Sequence, residues 1–302
     1  MPGGLKGAAH TGHGGRTFAA LALLAAFCCA ALAPPASAAA PKLVPGSRYL
    51  ALGDSVTFGY MEPQVVPPPN YRNAASLLGY PEHLGSILHV KVTNAACPGE
   101  TSSSLINPAA VSFGCENILG RPPGYRTVFP LHVRYKSSQL AFAIRYLRTH
   151  PGVRLVSLMV GANDLFVCQR TTRDGCASSS ERRAVFARLT RNVRTILSAI
   201  RNKARYRGQL AIVNYYSLNY ASAFISGASR QLGATVDGAA RRFHVVIANG
   251  YSEFGKGSLR SAGNPCAAGL LTQLGTPGRC GVHPSYAGQA LLADALAKVI
   301  RR

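Results

Sequence analysis

Acidic residues are scarce in this chain: 11 Asp and Glu stand against 33 Lys and Arg in 302 residues, a formal net charge of +22. A surface so poor in one sign favours anionic partners such as phospholipid headgroups, acidic wall polymers or nucleic acid. Specific nucleic-acid binding is not expected, because there is no zinc-finger spacing and the bases are scattered rather than blocked. Beyond residue 38 there is no Cys-x-x-Cys, no His-Glu-x-x-His and no histidine pair at ligand spacing, which argues against a metal site. No long apolar run follows the first forty residues, so no later segment is expected to span a membrane. Internal repeats and a second domain are also missing.

The first 38 residues read differently from the rest. Lys6 and Arg16 precede an apolar run from Thr17 to Ala33, followed by Pro34-Pro35 and Ala36-Ser37-Ala38. A basic start, a short apolar centre and a small-x-small site predict a secretory signal peptide over 1–38, with the mature domain at 39–302 and an extracellular destination. Removing Lys6 and Arg16 with it leaves 31 bases against 11 acids, +20. Cys28 and Cys29 lie in the same segment, but Ala25-Ala26-Phe27 before them is a poor lipoprotein processing site. Six cysteines remain. An even number in an exported chain suggests disulfides. Spacing leaves the connectivity open, and pairing of sequence neighbours, Cys97–Cys115, Cys168–Cys176 and Cys266–Cys280, is the expectation.

Tyr49 to Leu52 is a short apolar run suited to a buried strand. It stops at Gly53-Asp54-Ser55, where glycine permits a sharp turn and leaves a serine at the strand's carboxyl end. Further strands are predicted over His89–Thr93, Val153–Val160, Leu210–Val213 and Val245–Ala248. Helical patterns fall at Pro81–Leu88, Ser138–Thr149, after Ser178-x-x-Glu181 through Ile200, at Phe224–Phe243, and after Ser285 through Ile300. Cys97–Val133 and Tyr251–Gly281 read as irregular. Strands alternating with helices predict an α/β domain, a three-layer α/β/α sandwich with a central parallel sheet.

In such a sheet the loops after the strands open at one edge, where ligands bind. Ser55, the stretch Asn94-Ala-Ala-Cys-Pro-Gly99-Glu-Thr101, Gly161-Ala-Asn163-Asp164 and His283-Pro284 all fall there. Acyl transfer requires a nucleophile, a base within hydrogen-bond reach and donors aimed at the developing oxyanion. Serine, histidine, a glycine amide and an asparagine side chain supply these. The serine lacks the Gly-x-Ser-x-Gly setting of ordinary α/β-hydrolases.

Together the four motifs resemble the SGNH/GDSL hydrolase superfamily, in the family's order and across nearly all of the mature chain. The chain is most similar to secreted actinobacterial lipases and esterases with three disulfides. The resemblance implies a flavodoxin-like sheet, hydrolysis of lipid or small acyl esters, and no cofactor. It makes Ser55 the nucleophile and His283 the general base. The oxyanion hole would be the N–H groups of Ser55 and Gly99 with the side-chain amide of Asn163. One departure stands out: the family's Asp three residues before the histidine is Cys280 here. The carbonyl of Gly281 is therefore the expected partner of His283 Nδ1, with a distant acid, Asp237 or Glu253, as the alternative. Asp54 and Asp164 are expected to organise loops, and Tyr215, Tyr216 and Tyr220 to pack. An anionic lipid or cell-wall surface is the expected partner beside the ester substrate. Two other functions stay open: a carbohydrate O-deacetylase, which would show open polar walls around Ser55, and a non-catalytic cationic binding protein on a degenerate scaffold.

Overall fold

A computed structural model describes residues 40–302. The expected signal peptide, its cleavage site, Cys28 and Cys29 lie outside the described residues. In chain order the elements begin with β1 (Arg48–Gly53), α1 (Ser55–Phe58), α2 (Tyr80–Leu88), β2 (Lys91–Asn94), α3 (Ser102–Ile106), α4 (Tyr125–Val128) and α5 (Gln139–Thr149). They continue with β3 (Val153–Met159), α6 (Ala162–Thr171), α7 (Ser179–Ser198), β4 (Gln209–Val213), α8 (Ala223–Ala240), β5 (Val245–Ala248) and α9 (Gly250–Gly257). A β6–β7 hairpin (Leu271–Gln273, Cys280–Pro284) and α10 (Tyr286–Ala297) close the chain.

Five parallel strands form one sheet in the order β2-β1-β3-β4-β5. Helices α2, α9 and α10 pack together on one face, and α3, α5, α7 and α8 on the other. The result is the expected three-layer α/β/α fold. The strand order reverses at β1 and β3, so the crevice between their carboxyl ends is the switch point at which open sheets bind ligands.

Central strands covered on both faces read as continuous apolar runs. Tyr49, Leu50, Ala51 and Leu52 of β1 and Leu155, Val156, Leu158 and Met159 of β3 are all fully buried. Each such large side chain contributes about 1.5–3 kcal/mol of apolar burial. The one polar residue between them, Ser157, is satisfied by the hydroxyls of Tyr49 at 2.6 Å and Tyr80 at 3.1 Å.

The long basic helix α7 starts as its pattern predicts, with Ser178 Oγ accepting the Glu181 N–H. Two regions are more regular than expected. Tyr251–Gly281 contains α9 and β6, and Cys97–Val133 contains α3 and α4. Helix α9 is concealed in the sequence by Gly250, Gly255 and Gly257. It forms because Asn249 caps it and Phe254 is buried against the ring of Tyr216, centroids 4.2 Å apart. No described helix is long and apolar enough to cross a membrane.

Candidate active site

Strand β1 ends at Gly53, whose φ of +153° and lack of a side chain are both required. A Cβ there would fall on Thr57 Oγ1 and the carbonyl of Met159. The Gly53 peptide is gripped by one side chain at the start of α5. Gln139 Oε1 accepts the Gly53 N–H at 2.6 Å and Gln139 Nε2 donates to the Gly53 carbonyl at 3.0 Å.

Asp54 then caps α1 by accepting the Val56 N–H at 3.0 Å, and its other oxygen accepts the hydroxyl of Tyr215 and the amide of Asn163. Burial pushes the Asp54 carboxyl up, the Tyr215 and Val56 hydrogen bonds pull it down, and it settles at about 6. Asp164 accepts both the N–H and the hydroxyl of Ser102, tying α6 to α3. Both acids organise loops, as expected.

Ser55 is the first residue of α1 and its Oγ lies 2.9 Å from His283 Nε2. The histidine comes from the far end of the chain, on the β6–β7 hairpin that the Cys266–Cys280 disulfide closes. Its Nδ1 does not meet the Gly281 carbonyl. Glu62 Oε1 stands there instead, 2.8 Å away, so the expected carbonyl partner is corrected to a carboxylate from the loop after α1. The same oxygen accepts the N–H groups of Val282 at 2.7 Å and His283 at 3.3 Å, while Oε2 accepts the Thr272 hydroxyl at 2.5 Å. Burial alone would raise the Glu62 carboxyl. The hydrogen bond and charge of His283, with Thr272, outweigh it and hold the group at about 2. Gly281 has a different importance: a Cβ on it would lie inside the Glu62 carboxylate. The two distant acids are engaged elsewhere, Asp237 with Asn214 and Glu253 with Lys256 and Lys298.

Ser55, Gly99 and Asn163 line one cavity. Among the described residues the N–H groups of Ser55 and Gly99 have no protein acceptor. Gly99 has a φ of +79° and packs directly on Gly114, leaving no room for a Cβ. The Cys97–Cys115 disulfide holds these two segments together. The Asn163 amide donates to the Glu100 carbonyl at 3.0 Å and, at a longer 3.3 Å, to Asp54. A serine on a carboxylate-backed histidine beside unoccupied backbone donors can attack a carbonyl and hold the resulting oxyanion.

Two cavities meet at this point, of about 500 and 290 Å³. The larger is walled mainly by Phe113, Ile118, Tyr125, Val128 and Phe129, and the smaller by Leu165, Leu218, Phe224, Ile225 and Leu232. Tyr215 and Tyr216 also line the smaller one, their hydroxyls turned to Asp54 and to the Val282 carbonyl, whereas Tyr220 bonds to the Tyr251 carbonyl away from it. The third disulfide, Cys168–Cys176, joins the end of α6 to the segment before α7.

Sequence reasoning missed Glu62 and Gln139. The signal for Glu62 is slight: it follows Ser55 by seven positions and is one of just 11 acids.

Among solved structures, the chain is similar to a putative GDSL-like lipase from Parabacteroides merdae, with 16% identity, a TM-score of 0.51, and 85% of this chain and 98% of that one covered. It is also similar to an acetylxylan esterase from Geobacillus stearothermophilus, with 18% identity, a TM-score of 0.51, and 85% and 95% covered. At such identities the likeness establishes the fold. No curated protein matches the chain. The model of the GDSL-like lipase/acylhydrolase family matches residues 51–291, and the chain therefore belongs to that family and is a carboxylic ester hydrolase.

Proposed function

We propose that the protein is a secreted lipase or esterase that works through an acyl-enzyme on Ser55, with His283 as base and Glu62 completing a triad. The continuous relay from Ser55 Oγ to His283 Nε2 and from Nδ1 to Glu62, at 2.9 and 2.8 Å, carries this reading. Two backbone N–H groups, of Val282 and His283, converge on the Glu62 oxygen facing Nδ1, which keeps that oxygen an acceptor and favours the proton on Nδ1. Nε2 is then left to take the Ser55 proton. As the alkoxide adds to the ester carbonyl, the N–H groups of Ser55 and Gly99 receive the oxyanion. The Asn163 amide joins them by exchanging its long bond to Asp54. His283 returns the proton to the leaving alcohol, and water repeats the sequence to release the acid.

The apolar walls favour acyl chains over the acetyl groups of a polysaccharide, since a deacetylase site would be open and polar. The missing aspartate was the sole support for a non-catalytic scaffold, and Glu62 supplies the acid. Nitrophenyl esters of increasing acyl length should be turned over with a maximum beyond acetate, and Ser55→Ala should abolish turnover across the series. A profile that peaks at acetate would select the deacetylase.

Ion pairs among the described residues involve only Arg126, Lys256, Lys298 and His283, so most of the cationic surface lacks an acidic partner. The favoured interface is an anionic lipid surface. Sedimentation with phosphatidylglycerol vesicles should exceed that with phosphatidylcholine vesicles and fall with added salt. Equal binding to both, independent of salt, would remove the charge argument.

A further inference from the structure

The two cavities beside Ser55 meet at Ser55, Asn163, Phe166, Val282 and His283, which line both. They diverge from the nucleophile in different directions, one under the Cys97–Cys115 insert and α4, the other between α6 and α8. Phe166 stands on the boundary, its ring 5.5 Å from Phe113 of the larger space. At a tetrahedral centre on Ser55 the acyl chain and the alcohol must also leave in different directions. A site for acetyl esters, or for an acyl chain on a small polar alcohol, needs one apolar lobe and a wet second side. Here both sides are apolar. The rim is apolar as well: Phe224 is 86% exposed at the smaller mouth, and Val128 and Ile118 are more than half exposed at the larger.

We infer that the substrate is an ester with extended apolar groups on both sides of the scissile bond, the acyl chain in one lobe and the alcohol in the other. Long-chain alkyl esters and multiply acylated glycerols share this chemistry. The inference rests on Ser55 as nucleophile and adds what the two lobes hold. No new chemical step is involved. Ser55 Oγ bonds to the acyl carbon, the carbon–oxygen bond to the alcohol breaks, and the alcohol oxygen leaves with the proton from His283.

Burial of each added methylene then raises kcat/KM by about three- to fourfold until its lobe is full, and the two arms act independently. The test is a matrix of alkyl alkanoates, acetate to decanoate against methyl to octyl, measured on the oxidised mature protein. Two lobe-narrowing variants are read beside it: Val128→Trp for the larger lobe and Ala228→Trp for the smaller. Each profile is normalised to that protein's own methyl acetate rate, and near-ultraviolet circular dichroism checks that the variants are folded.

Wild-type kcat/KM is expected to climb along both axes. Val128→Trp should truncate one axis by at least tenfold at its long end, and Ala228→Trp the other. A wild-type profile flat along the alcohol axis would overturn the inference, as would truncation of the same axis by both variants, or of neither. Ser55-dependent turnover would persist in those cases and leave the hydrolase reading standing. Absence of Ser55-dependent turnover from the whole matrix would instead defeat that reading, and the two-arm substrate with it.

Discussion

Glu62→Ala should lower kcat by about 10³–10⁴-fold with little change in KM. The side chain itself lines neither cavity, so substrate binding should depend on it little. In the proposed triad it would act through His283 in two ways: fixing the ring and tautomer, and stabilising the imidazolium that would form when Ser55 gives up its proton. Glu62→Gln separates the two. Because the Oε1 position accepts N–H groups from Val282 and from His283 twice over, the amide oxygen of glutamine belongs there too. Ring orientation is then preserved and only the charge is lost, which should cost about 10- to 100-fold.

Gly281→Ala reaches the same point from the backbone side. Its Cβ would displace the carboxylate, so its kinetics should follow Glu62→Ala rather than wild type. Near wild-type turnover in Glu62→Ala would show that the Gly281 carbonyl, or water, orients the histidine adequately, and the triad would reduce to a dyad. Held at about 2, Glu62 stays ionised through the neutral and mildly acid range, so its own protonation does not shape the rate profile there. The stability that Glu62 adds is complete above the ordinary Glu range near ~4.3 and is lost as pH falls through about 2. The melting-temperature gap between wild type and Glu62→Ala should accordingly close towards pH 2.

How much of this was legible follows from what a local pattern can encode. The turn at Gly53-Asp54-Ser55 was readable because an apolar run stops there at a glycine, which permits a sharp turn. Asn163 and His283 were readable because each follows or precedes a strongly periodic element. The topology then brought them to one sheet edge without further information. Glu62 lies in a proline-rich loop with no periodicity, and its meeting with His283 joins positions 221 residues apart. Nothing local marks it apart from the rarity of acids. The absence of a family aspartate at Cys280 posed the right question, but a carbonyl and a carboxylate from elsewhere answer it equally well until the fold is known. Gly281 shows the limit most plainly. It was singled out for its carbonyl, and its importance is the missing Cβ.

Gln139→Leu should cost about 3 kcal/mol or more of stability, the largest effect expected away from the reacting groups. Gln139 is fully buried and its amide is completely used, accepting from the Gly53 N–H and donating to the Gly53 carbonyl and to Glu100 Oε2 at 3.0 Å. It thus joins the turn before Ser55 to the residue after Gly99. Leucine fills similar space but leaves the Gly53 N–H and a Glu100 oxygen buried without a partner, and orphaned groups carry their whole desolvation cost, roughly 1–3 kcal/mol each and more when charged. Burial already holds the Glu100 carboxyl well above the usual range, with Glu116 nearby adding to the rise. Gln139→Glu would set a second carboxyl against it. When protonated, that group can still accept from Gly53 and donate to Glu100, so the variant should be near wild type in acid. Its folded-state pKa would be raised, so its deficit should grow as pH climbs past the ordinary Glu range near ~4.3. Urea midpoints of the three proteins between pH 4 and 8 read this directly. A pH-independent loss for Gln139→Glu, or no loss for Gln139→Leu, would mean that the amide merely fills space between the two loops.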